Sequence, residues 1–148
     1  MIMETTDKRK ELQEMLMEAE SCKKQMDAIR REMEVVSSVM EELSSSIKAL
    51  QALKESRAGT EILVPIGGGS FIRAELKDPG KVIVGTGSNI SIEKDIDSAQ
   101  KILEDRSSEM SKAMERLNGN FSEINARLAE LDEIYRMLVS EVQSGGKA

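Results

Sequence analysis

An unbroken three-four repeat of apolar residues fills the first third of the chain and constrains its fold more than any other feature. The repeat consists of Leu12, Met15, Ala19, Cys22, Met26, Ile29, Met33, Val36, Met40, Leu43, Ile47 and Leu50. This spacing keeps one seam of a helix against a partner helix. A repeat of this length predicts a coiled-coil helix, because a helix in a globular core needs far fewer turns.

A second repeat with the same spacing occupies the C-terminal part of the chain. It consists of Leu103, Met110, Met114, Leu117, Phe121, Ile124, Leu128, Leu131, Tyr135, Leu138 and Val142, with Gln100 and Ser107 at two polar seam positions. The two repeats have equal extents, which predicts an antiparallel hairpin in which Met15 faces Tyr135 and Ala19 faces Leu131. Asn118-Gly119-Asn120 interrupts the second repeat with weak helix formers. The seam keeps its phase there, which favours a continuous, locally soft helix over two separate helices.

The segment between the helices has the pattern of β-strands. Four apolar stretches alternate with three turn-like stretches rich in Gly, Asp, Asn and Pro, which predicts two β-hairpins. The predicted strands cover Ile62 to Ile66, Phe71 to Leu76, Val82 to Val84 and Ile90 to Ile92. Asp95 is the predicted N-cap of the second helix.

The predicted fold class is α+β and mainly α, a long antiparallel coiled-coil hairpin with two β-hairpins between its helices. We predict an N-terminal coiled-coil helix over residues 1–56, the hairpins over 57–94 and a C-terminal coiled-coil helix over 95–148, together in one domain. The four strands are expected to form one antiparallel patch. Such a patch has exposed edges and an apolar face, which predicts pairing with copies or relatives of itself. The alternative is a patch folded back on its own helices.

Composition argues against catalysis. The chain has no His and a single Cys, which excludes zinc sites of the usual kinds and Ser-His or Cys-His pairs. The Gly67-Gly68-Gly69-Ser70 stretch lacks the Lys of a phosphate-binding loop, so it is interpreted as a turn. Cys22 lies at a seam position, where a small apolar side chain is wanted. We therefore expect no enzyme activity, no cofactor and no metal.

Charge and hydropathy restrict the partners and the location. The formal net charge is -6 and the isoelectric point is near 4.9, so neither nucleic acid nor an anionic membrane is expected as a partner. The chain has no apolar run of membrane-spanning length, and its first residues lack the apolar core of a signal peptide. A cytoplasmic location is the expectation.

The strand region resembles the alpha-class subunits of the prefoldin family, in the archaeal style. The resemblance rests on EILVPIGGGSFIRAEL (61–76), VIVGTG (82–87) and ISIEK (90–94). It implies a complex of two alpha-class and four beta-class subunits, joined through their strands into a double β-barrel from which six helical hairpins hang. It also implies an ATP-independent chaperone that binds unfolded polypeptides and delivers them to a group II chaperonin.

This mapping assigns an oligomer interface to the strands. The implied interface residues are Val64, Ile66, Phe71, Ile72, Leu76, Val82, Val84, Ile90 and Ile92.

The helix ends are the candidate substrate-binding site, because the apolar stripe widens there beyond the seam. The candidate residues are Met3, Leu12, Met15, Leu16, Ile134, Leu138, Val139 and Val142. Met suits such a surface, since its flexible, polarizable side chain adapts to many shapes. Two alternatives remain open. The seam residues are also explained by core packing, and the whole chain by a structural coiled-coil adaptor that binds no unfolded protein.

Overall fold

Two long helices enclose two β-hairpins in the order of the chain. The computed structural model describes residues 2–145; the predicted outer ends of the helical segments, residue 1 and residues 146–148, lie outside the described residues. The elements are α1 (Ile2–Lys54), β1 (Glu61–Gly67), β2 (Ser70–Glu75), β3 (Lys81–Gly87), β4 (Ile90–Asp95) and α2 (Ile96–Gly145). The predicted architecture is confirmed. α2 runs without a break through Asn118-Gly119-Asn120, so the predicted continuity of this helix is also confirmed, and its softness stays a prediction.

The chain divides into two compact units. One contains the residues up to Ser37 and from Lys112 onward, and we call it the helical unit. The other contains residues 38–111, with the end of α1, both hairpins and the start of α2, and we call it the strand unit.

The helical unit is an antiparallel pair of helix segments. Lys8 Nζ lies 3.4 Å from Glu141 Oε2, and Arg127 Nε lies 2.8 Å from Glu18 Oε1, so residues early in α1 meet residues late in α2. Every predicted seam residue in this unit is buried or half-buried. Leu131 is 2% exposed and the free thiol of Cys22 is buried, as its seam position predicts.

The strand unit has its own small core where the helices meet the second hairpin. Leu50, Val84 and Ala99 form the buried centre of this core. The half-buried side chains packed around them are Leu53, Val82, Ile96, Ile102 and Leu103. Lys54 Nζ lies 2.7 Å from Asp97 Oδ1 at the edge of the same region. An alanine at position 99, fully buried, leaves room for the side chains of α1 and β3.

The strands form two separate two-stranded sheets. Among the described residues β1 pairs only with β2, and β3 only with β4. The expectation of one antiparallel patch is therefore wrong. Each hairpin closes its own ladder through a tight turn, and no ladder hydrogen bonds join the two within this part of the chain.

The two hairpins have the same register and the same kind of turn. Each Cα pair of the first recurs 20 residues later in the second, as with Glu61 and Glu75 against Lys81 and Asp95. Both two-residue loops have positive φ at each position, 59° and 75° at Gly68-Gly69 and 53° and 61° at Ser88-Asn89. These angles define the type I′ turn, whose twist matches that of the strands. Each hairpin also carries one extra residue in its first strand just before the turn.

Asp95 is the cap that the sequence predicts for α2. Its Oδ1 accepts a 2.6 Å hydrogen bond from Ser98 Oγ, and its Oδ2 accepts one of 3.3 Å from Ser98 N. These bonds stabilise the carboxylate and lower the pKa of Asp95, with the side-chain bond from Ser98 as the largest cause. The strand β4 therefore passes directly into the helix.

The two hairpins differ in how they are held. The second packs Val82 and Val84 into the core, and Gly85 O accepts a 2.5 Å hydrogen bond from Arg106 Nη2 of α2. The first is extended by hydrogen bonds from Gly59 N to Leu76 O and from Leu76 N to Thr60 O. It contributes no residue to the core cluster. Isolated two-stranded hairpins are at best marginally stable in water, so the first hairpin lacks an internal source of stability that the second has.

A cavity in the core cluster is expected to lower the stability of the fold. Leu50→Ala removes a side chain that is 4% exposed at the centre of this cluster. We expect the free energy of unfolding to fall by about 2–5 kcal/mol. Urea unfolding followed by far-UV circular dichroism measures the change. Gln51→Ala, at the exposed neighbouring position, is the matched control, and a loss of equal size in both variants would contradict the role assigned to Leu50.

Candidate functional sites

The first hairpin exposes large apolar side chains on both of its faces. The exposed fractions are 62% for Leu63, 40% for Val64, 59% for Ile66, 58% for Phe71 and 54% for Ile72. Successive side chains of a strand point to opposite faces. Val64 pairs with Ile72 on one face, and Leu63 and Phe71 lie on the other. Because neither face packs against the helices, this hairpin presents apolar surface in two directions.

The second hairpin exposes less apolar surface, because part of it belongs to the core. Val84 is 6% exposed and packs on Leu50 and Ala99. The exposed apolar side chains are Ile83, Ile90 and Ile92, at 73%, 59% and 42%. Together the two hairpins leave eight large apolar side chains in contact with solvent, and we call this set the strand surface.

The predicted interface residues divide into two groups. Val64, Ile66, Phe71, Ile72, Ile90 and Ile92 belong to the strand surface. Leu76, Val82 and Val84 are half-buried or buried within the chain. Val82 and Val84 pack against helices of the same chain, as in the alternative of a patch folded back on its own helices. An interface role for any of the nine stays a prediction.

Leu63 and Ile83 are the members of the strand surface that the prediction missed. The sequence feature that indicates these two residues is an unbroken run of apolar residues. Leu63-Val64-Pro65-Ile66 and Val82-Ile83-Val84 are unbroken apolar runs, which are typical of strands covered on both faces.

The helical unit exposes apolar side chains toward the ends of its helices. Ile2 and Met3 are 86% and 82% exposed, Leu16 and Met17 are 51% and 67% exposed, and Met137 of α2 is 61% exposed. We call these five residues the end surface. Of the predicted substrate-binding residues, Met3 and Leu16 belong to it. Ile2 was missed, since a strongly exposed residue near a chain end gives no seam signal.

The other predicted substrate-binding residues are less accessible. Leu12, Met15, Ile134, Leu138, Val139 and Val142 are all half-buried. Their seam or near-seam positions place much of each side chain between the two helices. The structure therefore separates the predicted set into an accessible part and a part that packs the helix pair, and substrate contact by either part stays a prediction.

A cleft of about 440 Å³ lies between the two helices of this unit. Its apolar lining comes mostly from the seam, and Lys23, Asn125 and Asp132 give it polar edges. The full lining is Met15, Leu16, Ala19, Lys23, Asn125, Leu128, Ala129, Leu131, Asp132 and Tyr135. Met15 and Tyr135, and Ala19 and Leu131, therefore meet in one cleft as the predicted register requires.

The opposite flank of the helix pair is held by a charged cluster. Arg127 donates from Nε to Glu18 Oε1 at 2.8 Å, from Nη2 to Glu18 Oε2 at 3.2 Å, and from Nη1 to Glu130 Oε2 at 3.0 Å. Two parallel bonds to one carboxylate are the specific geometry of an Arg-carboxylate pair. The side-chain hydrogen bond from Arg127 lowers the pKa of Glu18, and the two carboxylates raise the pKa of Arg127.

Neither a cluster of potential metal ligands nor a membrane-spanning helix occurs among the described residues. Residues 2–145 contain no group of three or more His, Cys, Asp or Glu side chains placed to hold a metal ion. None of the helices in that range has the length and apolarity that crossing a bilayer requires.

The sequence matches a protein-family model described as "Prefoldin subunit" over residues 22–141. The prefoldin subunit alpha of Methanococcoides burtonii is 36% identical over 87 residues, which cover 59% of this chain and 63% of that protein. The prefoldin subunit alpha of Thermofilum pendens is 36% identical over 91 residues, which cover 62% and 70%. The chain thus spans roughly two thirds of the length of these relatives.

The fold is also similar to that of a solved structure. A chain in the cryo-EM structure of filamentous PFD from Methanocaldococcus jannaschii superposes with a TM-score of 0.69 at 25% identity. The superposition covers 78% of this chain and 96% of that chain.

The pKa of Glu18 predicts a pH dependence of stability. A carboxylate whose native pKa is lowered stabilises the fold fully above its ordinary pKa, here 4.5, and the stabilisation is lost as the pH falls through the native value. We therefore expect wild type to be more stable than Glu18→Gln above pH 4.5, with a difference that shrinks at lower pH. Thermal unfolding at a series of pH values tests this. Glu20→Gln is the control, because it removes an exposed carboxylate that forms no ion pair within residues 2–145. If this variant shows the same pH profile, the attribution of the stability difference to the Glu18–Arg127 pair is contradicted.

Proposed function

Since the chain belongs to the prefoldin family, we propose that it is a subunit of an ATP-independent chaperone that captures unfolded polypeptides and passes them to a group II chaperonin. The observation that carries this proposal is the end surface. Five large apolar side chains, four of them Met or Ile at more than 60% exposure, stand in solvent toward the ends of two paired helices. Exposed apolar clusters of this kind mark interaction sites.

The chemistry of the end surface fits a partner without a fixed sequence. Met3, Met17 and Met137 carry flexible thioether side chains that repack against many shapes. Promiscuous binding surfaces use such side chains in preference to rigid ones. The half-buried residues beside them, such as Leu138 and Val142, would add area only if the helix ends open, and chain ends open at low cost.

Assembly is the second part of the proposal. The strand surface leaves two apolar hairpin faces and the strand edges unpaired, a condition that association with other strands relieves. We propose that the hairpins join with beta-class subunits and a second alpha-class subunit, in a complex of two alpha and four beta chains built around a β-barrel. Several helix pairs in one complex then hold one client by combined weak contacts. We place this complex in the cytoplasm and assign it no catalytic step.

The end surface predicts a loss of client binding. We expect the Met3→Ser/Leu16→Ser variant of the assembled complex to need about tenfold more protein to suppress the aggregation of a denatured client. Burial of one apolar side chain contributes about 1.5–3 kcal/mol, and 1.4 kcal/mol corresponds to tenfold in affinity. Light scattering during dilution of a denatured client measures the effect.

Val35→Ser is the matched control for this variant. Val35 is 63% exposed in the same unit but lies away from the end surface, so we expect wild-type activity. Deletion of residues 1–11 and 140–148 gives a stronger form of the test, in which holding is lost and the mass of the complex is kept. Full holding activity after this deletion would contradict the chaperone proposal and favour a structural adaptor.

The strand surface predicts a separate loss of assembly. Ile72→Lys places a charge on the face that Ile72 shares with Val64, 54% and 40% exposed. A buried unpaired charge is costly, so we expect the complex with beta-class subunits to dissociate while the helices stay folded. Native mass spectrometry with circular dichroism measures both. Asp78→Lys, in the exposed turn between the hairpins, is the control, and an intact complex in the Ile72 variant would contradict assembly through this face.

A further inference from the structure

The methionine side chains fall into two groups by exposure. Of the ten Met, all but Met1 lie in the described residues. Met3, Met17 and Met137 belong to the end surface and are 82%, 67% and 61% exposed. We call these three the exposed Met. The others occupy seam positions and are half-buried, and we call them the seam Met: Met15, Met26, Met33, Met40, Met110 and Met114.

The exposed Met lie at one end of the helical unit. Residues 8–18 of α1 run beside residues 127–141 of α2, because ion pairs join these two stretches at both of their borders. Met17 lies in the first stretch and Met137 in the second, and Met3 lies beyond them toward the start of α1. A change in these three side chains therefore acts on the end surface as a whole.

The chain has few other side chains that a peroxide oxidises readily. It contains no Trp and no His, and its one thiol, Cys22, is 7% exposed within the seam. Susceptibility to oxidation follows solvent exposure. A peroxide in solution therefore reaches the exposed Met first, whereas the two helices shield Cys22 and the seam Met.

Oxidation of Met by a hydroperoxide transfers one oxygen atom and two electrons. The thioether sulfur attacks one peroxide oxygen, an S–O bond forms as the O–O bond breaks, and the other oxygen leaves as water. Sulfur is oxidised and the peroxide is reduced. The product, methionine sulfoxide, is polar, and methionine sulfoxide reductases reverse the reaction. In the reversal a pair of thiols is oxidised to a disulfide and the sulfoxide oxygen leaves as water.

We propose that Met3, Met17 and Met137 form a peroxide-sensitive modification site, where oxidation to the sulfoxide makes the end surface polar and lowers its affinity for clients. A client that covers a sulfoxide with apolar groups leaves a polar oxygen without a hydrogen-bond partner, which is unfavourable. The effect on clients rests on the proposed function. The selectivity of the oxidation depends only on exposure.

The position of the site outside the seam and the strands confines the effect to the end surface. The exposed Met stand in solvent, where a polar sulfoxide is tolerated, so the helix pair should stay folded. The eight residues of the strand surface are Leu, Val, Ile and Phe, none of which a peroxide oxidises readily. Assembly through the strands should therefore continue while client binding is lost.

The first test measures where oxidation occurs. The full chain is treated with hydrogen peroxide, samples are quenched with catalase over time, and peptide mapping by mass spectrometry gives the oxidation rate at each Met. We expect the exposed Met to be oxidised several times faster than the seam Met, with Cys22 still reduced and the far-UV circular dichroism unchanged.

The second test measures holding of a denatured client by light scattering. The treated and quenched chain is assembled with untreated beta-class subunits, so that neither the partner nor the client is oxidised. We expect this complex to need about tenfold more protein than the untreated one, the loss estimated above for two apolar side chains. Methionine sulfoxide reductases for both sulfoxide epimers should restore holding.

Two variants with leucine in place of Met locate the effect. Met3→Leu/Met17→Leu/Met137→Leu keeps an apolar end surface without sulfur, so its complex should hold a client equally well before and after peroxide treatment. Met26→Leu/Met33→Leu/Met40→Leu is the matched control. It removes the same number of Met from the seam by volume-conserving changes, and its complex should lose holding on treatment as wild type does.

Three results would overturn the proposal: oxidation of the seam Met as fast as of the exposed Met, undiminished holding by the oxidised complex, or an equal loss on treatment when the exposed Met are replaced by leucine. A wild-type complex that holds no client before treatment contradicts the proposed function instead. The oxidation rates then still decide whether the three Met are the modification site.

Discussion

The apolar seam between α1 and α2 is the interaction on which the other features depend. Four of the six buried apolar residues in the described part of the chain belong to it, Cys22 and Leu131 in one unit and Leu43 and Leu50 in the other. A seam of this kind is one side chain thick. The whole sequence contains only two Phe and one Tyr as large aromatic side chains that could widen it. It organises two helices, but it leaves their outer faces and both hairpins without a core of their own. Each proposed site is a surface that the seam does not cover.

In the strand unit, only the second of the two hairpins packs against the helices. Two hairpins of identical register follow one another, yet one packs Val82 and Val84 against the helices and receives a hydrogen bond from Arg106, and the other has no residue in the core. The differences lie in the side chains. Pro65 and Phe71 of the first hairpin stand where the second has Gly85 and Ser91. The small residues of the second hairpin accompany close contact with a helix, whereas the bulky residues of the first remain in solvent.

The sequence predicts most of this fold because period and turn chemistry are local signals. The seam residues, both hairpins, the Asp95 cap and the continuity of α2 across Gly119 all follow from spacing or from residue type. The separation into two sheets does not, because strands in one sheet and strands in two have the same alternation of apolar and polar residues. The candidate sites are predicted in part for the same reason. Exposure of Leu16 depends on the helix pair around it, and the cleft beside Lys23 arises from side chains more than 100 residues apart in the sequence.

The two apolar surfaces differ in the strength of binding that they support. The exposed fractions run from 40% to 73% in the strand surface and from 51% to 86% in the end surface, so the burial of each side chain contributes about 1 kcal/mol. The eight residues of the strand surface then supply about 8 kcal/mol, and backbone pairing at the strand edges adds to this. Association costs an estimated 4–15 kcal/mol, so the strand surface covers more of this cost than the end surface does. The five residues of the end surface supply about 5 kcal/mol, close to the lower limit of that cost. In the proposed function, one helix pair alone would bind a client weakly, and firm retention would require several pairs held together by the strands. In the proposed function, assembly through the strands is thus a physical precondition for retention at the helix ends, and we expect damage to the strand surface to abolish client retention even where every residue of the end surface is intact.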